Sequence, residues 1–359
     1  MRILTFLLYT CLLFLACNQD PEPDPFGFIL TEADFGTSEF TRYDLVGAEE
    51  AIDMLVGVGH YIYYATYGRE IRVFDTQQSE TLPLLANVRI TALQVFADRV
   101  YICSDAGMYR IDPDRPTEPL RIGTTCYDVE VIDDEVFFTS FEQDSVQDFP
   151  NRLFRLDAGS SRRASELLPD LIGSILPAPG NEIMAVSASG GLAIYRFDLA
   201  GNLLDTYESE EHMIPERIAD VRLQPVSNGA ELFIVGKQGF GYPSVVRWSA
   251  ETNSWTNLLI PEALETGAPE GDQKLVFLQR ATVTDAVVSG DGLYITTTAA
   301  GCHGLFRFDL AGAEPFEYVD FQVIQDARLG TDQCLEGMFI DGRIGTVYLY
   351  GQQSAFRFM

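Results

Sequence analysis

The chain has 359 residues, is 47% hydrophobic and carries 53 Asp and Glu against 24 Lys and Arg, a formal net charge of −29. That balance excludes nucleic acid and direct adhesion to anionic lipid, because both need clustered cations. It favours solubility and cationic partners or divalent ions, and with no long low-complexity stretch the chain is expected to fold from residue 26 to 359.

Residues 1–16 carry one charge, Arg2, followed by an apolar run from Ile3 to Ala16. The run is shorter than the roughly 20 residues of a membrane-spanning helix. With Ala16 before Cys17 it predicts a secretory signal peptide over 1–16. Phe14-Leu15-Ala16-Cys17 resembles a bacterial lipobox with Phe14 in place of the usual Leu. The resemblance implies lipidation of Cys17 and an exported, membrane-anchored lipoprotein at the outer membrane or cell surface. Loss of Arg2 leaves 23 bases against 53 acids, a net charge of −30. Asn18 to Pro25 holds three prolines and three acids, so residues 17–25 are expected to be a lipidated Cys and an extended tether. Acids just behind Cys17 also resemble the surface-export signals of Bacteroidetes lipoproteins.

An Arg-apolar-Asp motif then recurs through the chain. Clear copies are Tyr109-Arg110-Ile111-Asp112, Phe154-Arg155-Leu156-Asp157, Tyr195-Arg196-Phe197-Asp198 and Phe306-Arg307-Phe308-Asp309. Weaker ones contain Arg42, Arg72, Arg247 and Arg357. Self-similarity at roughly 40 to 50 residues marks a repeat fold whose units cannot each bury a core alone. Within each unit an apolar strand leads to a tight polar turn such as Ala97-Asp98-Arg99, Asp133-Asp134-Glu135 or Gly180-Asn181-Glu182. A β-branched and aromatic strand follows, as in Val100-Tyr101-Ile102-Cys103 or Leu293-Tyr294-Ile295-Thr296, then the motif strand and a more polar fourth strand.

Four short antiparallel strands in about 40 residues match a blade of a β-propeller. The expected fold is therefore all-β, a single β-propeller over residues 26–359. First strands near Ile52, Thr91, Tyr127, Ile172, Ala219, Thr282 and Glu336 count seven blades. Eight remain open, because the copy at Arg42 itself reads as a third strand. The last blade ends at Met359 after its third strand, so the N-terminal segment, with Phe26–Leu30 and Phe40–Asp44 as spare strands, is expected to complete it. The motif Arg is expected to pair with a neighbouring carboxylate, and the motif Asp to accept backbone N–H groups of the next turn.

Residues 71–121, with Ile71-Arg72-Val73-Phe74-Asp75 and Met108-Tyr109-Arg110-Ile111-Asp112, resemble bacterial propeller repeats of the YVTN and LVIVD type. The opening from Gly27 to Gly36 resembles propeller lipoproteins of Bacteroidetes. These resemblances imply fold and location rather than an activity.

Once Cys11 leaves with the signal and Cys17 takes the lipid, four cysteines remain. In register, Cys103 ends a second strand and Cys126 begins the next blade, while Cys302 and Cys334 hold the corresponding places further on. The favoured disulfides are Cys103–Cys126 and Cys302–Cys334. A metal site of Cys302, His303 and Cys334 is the rival, without C-x-x-C spacing to support it.

The histidines are His60, His212 and His303, and the sequence holds no G-x-S-x-G, H-E-x-x-H, phosphate loop or EF-hand ligand run. Asp133-Asp134-Glu135 reads as a hairpin turn before it reads as a calcium site. No catalytic residue, cofactor or metal is assigned. A binding face is expected where first strands begin, with Arg89, Tyr127, Asp128, Arg217, Arg280, His303 and Glu336, joined by Phe240 and Tyr242 of a longer loop. Loops are also long at Phe141–Asn151 and Pro261–Lys274. The leading reading is a monomeric, non-enzymatic binding or scaffold propeller, accessory to an outer-membrane complex, with a protein or carbohydrate partner. The alternative is a propeller enzyme acting on extracellular glycans, and a weaker third reading is a calcium-stabilised adhesion module.

Overall fold

Runs of β-branched and aromatic residues between turn signals become strands throughout the computed structural model of the chain. It describes residues 40–358 apart from 48, 68–69, 141–151, 158–159, 167, 170–171, 179, 188–192, 209–221, 228–230, 239–244, 250–253, 260–281, 290–291, 300–301, 311–317, 324–334 and 342–345. The expected signal peptide, Cys17, the tether and Phe26–Leu30 lie outside the described residues.

After β1 (Phe40–Asp44), strands β2 (Ile52–Val58), β3 (Tyr61–Thr66), β4 (Glu70–Asp75) and β5 (Glu80–Ala86) pair in chain order into an antiparallel sheet. The pattern repeats in β6 (Ile90–Phe96), β7 (Arg99–Ser104), β8 (Gly107–Ile111) and β9 (Leu120–Gly123). It repeats again in β10 (Asp128–Ile132), β11 (Glu135–Ser140), β12 (Arg152–Asp157) and β13 (Ser160–Arg163). Next come β14 (Ile172–Ala178), β15 (Glu182–Ser187), β16 (Ala193–Phe197) and β17 (Leu203–Glu208), then β18 (Arg222–Ser227), β19 (Leu232–Gln238), β20 (Val245–Ser249) and β21 (Ser254–Leu259). A further sheet holds β22 (Thr282–Ser289), β23 (Gly292–Ala299), β24 (Cys302–Asp309) and β25 (Tyr318–Val323). Finally β26 (Leu335–Asp341), β27 (Thr346–Gly351) and β28 (Ser354–Phe358) accept β1 as their fourth, outer strand.

Phe40 pairs with Phe358 and Asp44 with Ser354 across this last junction. The Asp44 carboxylate accepts the Ser354 hydroxyl at 2.8 Å and the Arg42 Nε–H at 2.7 Å, and these bonds hold its pKa below the ordinary Asp value. The Arg42 copy of the motif is thus an outer strand rather than a third one.

Burial is greatest in the second strands and lower in the first strands, which line the centre. Second strands such as β3, β7, β11 and β15 are buried at every position after the first, because neighbouring sheets cover both their faces. The outer strand β5 is mostly exposed. Apolar clusters lie between consecutive sheets: Tyr63 and Val73 against Val100 and Ile102, Cys103 and Met108 against Phe138, Phe137 against Ile183 and Phe197. Another joins Ile52, Tyr64 and Phe74 of the β2–β5 sheet to Tyr348 and Ala355 of the β26–β28 sheet. First strands lie against one another in the order β2, β6, β10, β14, β18, β22 and β26, and β26 lies against β2.

The other motif copies occupy third strands. Arg110 pairs with Asp112 at 2.8 Å, Arg155 with Asp157 at 2.8 Å and Glu135 at 3.1 Å, and Arg196 with Glu182. Such surface pairs contribute on the order of 0–1 kcal/mol each, so their service is to hold the outer half of a sheet in register. Asp75 Oδ1 accepts Gln77 N–H and Asp198 Oδ1 accepts Asn202 N–H, both at 2.8 Å. Hairpins between first and second strands use paired positive φ angles, 48° and 60° at Ala97-Asp98, 52° and 64° at Asp133-Asp134, 78° and 59° at Gly180-Asn181. This is the type I′ geometry that matches strand twist. The acids of Asp133-Asp134-Glu135 are accordingly turn formers, with Glu135 spent on Arg155.

Candidate binding cavity

First strands start irregularly, and that irregularity builds the site. Register shifts leave Asp53 of β2, Thr91 of β6, Gly173 of β14, Thr284 of β22 and Glu336 of β26 as extra residues opposite the second strand. A bulge of this kind re-aims the side chain it carries. In the sheet of β10 the matching place belongs to Tyr127, whose N–H donates to Thr139 O at 2.9 Å.

A cavity of about 1180 Å³ runs along the first strands β2, β6, β22 and β26. Its walls mix apolar side chains, among them Val56, Leu93, Val287 and Met338, with the polar Gln94 and Thr284. At the end where these strands begin it is bordered by Asp53, Tyr67, Asp285, Glu336 and Tyr350; Phe96, Ala97 and Asp341 border the far end. A volume of this order admits a short peptide segment, and the polar groups of the lining could orient one.

The polar end is tightly built. Tyr350 is 6% exposed, and its hydroxyl donates to Asp53 O at 3.3 Å. Its ring lies over Gly337, where a Cβ would come within 2.3 Å of the Tyr350 oxygen and 2.9 Å of Asp285 Oδ2. Burial pushes the Tyr350 phenol well above its ordinary pKa, and the nearby Asp285, Asp53, Tyr67 and Glu336 add to the effect. Tyr350 therefore stays a neutral donor at any physiological pH. Glu336 Oε1 accepts from Gln352 Nε2 at 3.2 Å. Among the described residues no three His, Cys, Asp or Glu side chains converge in a way that could hold a metal ion.

Asp128 and Asp285 hold equivalent places, opposite Thr139 of β11 and Thr296 of β23. Each reaches the next sheet: Asp128 Oδ2 accepts Ile175 N–H at 2.8 Å, and Asp285 Oδ2 accepts Met338 N–H at 3.0 Å. Burial raises Asp128 to about 6 despite the hydrogen bonds from Ile175 and Val129. These carboxylates tie first strands together at the level of the cavity.

Of the residues expected to form a binding face, Glu336 borders the cavity, and Tyr127 and Asp128 stand at the same end on β10 and its approach. Arg89 is exposed just ahead of β6, its N–H donating to Asp105 Oδ1 at 2.9 Å. His303 lies on β24 opposite Thr298. Arg217, Arg280, Phe240 and Tyr242 lie outside the described residues, as do Cys334 and the loops 141–151 and 261–274. Cys103 and Cys126 are joined by a disulfide with Cα atoms 4.9 Å apart, both fully buried. Thr91 Oγ1 donates to Cys126 O at 2.9 Å beside it. Asp53, Asp285, Tyr67 and Tyr350 were not singled out from sequence. The usable signal was register, since Asp53 holds in β2 the bulge that Glu336 holds in β26.

Four-stranded antiparallel sheets with inner first strands, exposed fourth strands and cores between consecutive sheets define a β-propeller. Solved structures share this fold. YCF48 bound to a D1 peptide is 12% identical, with a TM-score of 0.56 over 91% of this chain and 96% of that one. The Dos1 propeller is 12% identical, with a TM-score of 0.54 over 86% and 78% of the two chains. The computationally designed protein Ika8 is 14% identical, with a TM-score of 0.50 over 88% and 98%. At such identities the likeness is one of fold alone. No protein-family model matches the sequence, and no curated protein matches it.

Proposed function

We propose that the chain is an exported lipoprotein of the Bacteroidetes type, with YVTN/LVIVD-like repeats, held at the outer membrane or cell surface through Cys17. Its seven blades close into a ring through β1 on β28, and it acts as a non-enzymatic binding propeller accessory to an outer-membrane complex. The single observation that carries the binding reading is the cavity of about 1180 Å³ along β2, β6, β22 and β26, lined by apolar and polar side chains in similar measure. The contact of β26 with β2 and the pairing of β1 with β28 support ring closure. A buried disulfide supports export, since such bonds persist in oxidising compartments. The partner class is a protein segment, a mode for which YCF48 with its D1 peptide is a precedent within the fold.

A photo-crosslinking residue at Tyr67, which is 62% exposed beside the cavity, tests this in intact cells. One discrete crosslinked partner is expected, and it should be lost when Val288→Arg places a charge on the cavity wall. Recovery of the protein alone, without a crosslink, refutes the binding reading. Cys17→Ser should release the protein from the membrane fraction; a variant that stays membrane-bound refutes the lipid anchor.

A further inference from the structure

The described lining of the cavity holds four carboxylates, Asp53, Asp285, Glu336 and Asp341, and no Lys, Arg or His. Three of them, Asp53, Asp285 and Glu336, gather around the Tyr350 hydroxyl at the end where first strands begin. Beyond the effect of burial, each raises that phenol further, so their fields overlap there. Neutral donors hold two of them. Asp285 Oδ2 accepts Met338 N–H at 3.0 Å and Oδ1 accepts Ala286 N–H at 2.9 Å, while Glu336 Oε1 accepts the Gln352 amide at 3.2 Å. A neutral donor fixes the direction of a carboxylate without cancelling its charge. A cleft lined by one sign of charge focuses the field within it, and the chain around it carries a net charge of −29.

A bare metal ion does not match this arrangement, because among the described residues no three His, Cys, Asp or Glu side chains converge to hold one. The carboxylates instead border a space wide enough for cationic side chains. Tyr67, 62% exposed at the same end, adds an aromatic ring. A planar guanidinium uses both features, forking onto a carboxylate and stacking on a ring, whereas an ammonium is a compact, strongly hydrated charge. Val56, Leu93 and Met338 offer apolar contact to the residues flanking such a charge.

We propose that the segment this cavity takes is cationic, a stretch of arginine flanked by apolar residues, with guanidinium groups seated among Asp53, Asp285 and Glu336. This rests on the binding reading above and adds to it the charge and side-chain chemistry of the partner.

Dye-labelled Gly-Leu-Arg-Leu-Arg-Leu-Gly, and versions with lysine, citrulline or glutamate in place of both arginines, test it by fluorescence anisotropy on the purified protein. Citrulline keeps the shape of arginine and loses its charge. At low salt the arginine peptide should bind at least about tenfold more tightly than the citrulline peptide, the worth of one hydrogen bond to a charged group. Lysine should fall between them, glutamate should not bind, and the arginine advantage should shrink several-fold at high salt. Glu336→Gln and Asp53→Asn, both close in shape to the parent residues, should each weaken the arginine peptide and leave the citrulline peptide unchanged. Citrulline or glutamate binding as tightly as arginine overturns the cationic partner and leaves the cavity reading standing. Lysine equal to arginine overturns the guanidinium, and an arginine advantage that survives in both variants overturns its seat. Binding by none of the four overturns this proposal and the cavity reading together. Should a variant fail to fold, the four peptides on the parent protein decide alone.

Discussion

The proposed ring closure at the β1 junction would rest on Leu45, and Leu45→Ala measures it. Leu45 follows β1, donates its N–H to Gln353 O at 2.9 Å and accepts the Tyr64 hydroxyl at 3.0 Å. Its side chain is 6% exposed among Ile52, Tyr64, Phe74 and Tyr348, which come from the sheets at both ends of the described chain. Alanine keeps both backbone bonds and removes only the packed atoms, leaving a cavity that the rigid strands cannot collapse. The expected cost is about 3 kcal/mol, within the range of buried Leu→Ala changes. Unfolding entropy near 2.1 cal/mol/K per residue gives roughly 0.7 kcal/mol per degree for a folded region of this size. The melting temperature should therefore fall by about 4 °C in differential scanning calorimetry. Leu45→Met, which conserves volume, should cost less than about 1.5 kcal/mol. A Leu45→Ala melt within a degree of the parent would falsify the view that this segment seals the first sheet to the last.

Gly337→Ala places a methyl where Tyr350 and Asp285 already stand, so it should destabilise by about 1–3 kcal/mol and weaken crosslinking at Tyr67. Equal stability and equal crosslinking would show that the polar end tolerates expansion. Cys103→Ser with Cys126→Ser opens a loop of sequence separation 23; loop-closure entropy gives about 3.4 kcal/mol, a melting shift of roughly 5 °C that reductant should reproduce in the parent. An unchanged melt after reduction counts against the bond. Burial raises Asp128 to about 6 and Glu130 to about 7, so the stabilisation from their neutral forms is lost as pH rises through those values, and the acid limb runs the other way. Hydrogen bonds depress Asp44 (from Ser354, then Arg42), Glu50 (from Arg72) and Asp198 (from Asn202), so their stabilisation is present above the ordinary carboxylate range and is lost as pH falls below it. Stability measured by denaturant titration should thus peak at mildly acidic pH, and Asp44→Asn should flatten the acid limb; a peak above pH 8 contradicts both halves of the argument.

Much of the architecture was legible because its causes are local. Period-two alternation placed Arg155 and Arg196 on third strands, and the positive φ angles at Asp133-Asp134 and Gly180-Asn181 follow from turn residues that tolerate them. Register alone paired Cys103 with Cys126, since both ends of that bond lie in adjacent repeats. The Arg42 copy could not be ranked from its own residues, because outer and third strands share one alternation; its pairing with residues more than 300 positions away decided it. The site was less legible. Arg89, Tyr127 and Asp128 lie at strand starts, where hydrogen bonds engage the backbone of the first two and the carboxylate of Asp128. Asp53, Asp285 and Tyr350 carry no motif.

What the sequence by itself determined is the unit: four strands, a tight polar hairpin turn, a motif strand with its capped turn, and a disulfide between neighbours. Each depends on side-chain alternation and backbone preference within about 50 residues. What the tertiary structure alone decided is the cavity. Its walls come from β2 and β6 near one end of the chain and from β22 and β26 near the other, and its polar end depends on bulges at Asp53, Thr284 and Glu336. A bulge is a choice between two pairings of nearly equal local energy, settled by the neighbouring sheet against which the strand packs.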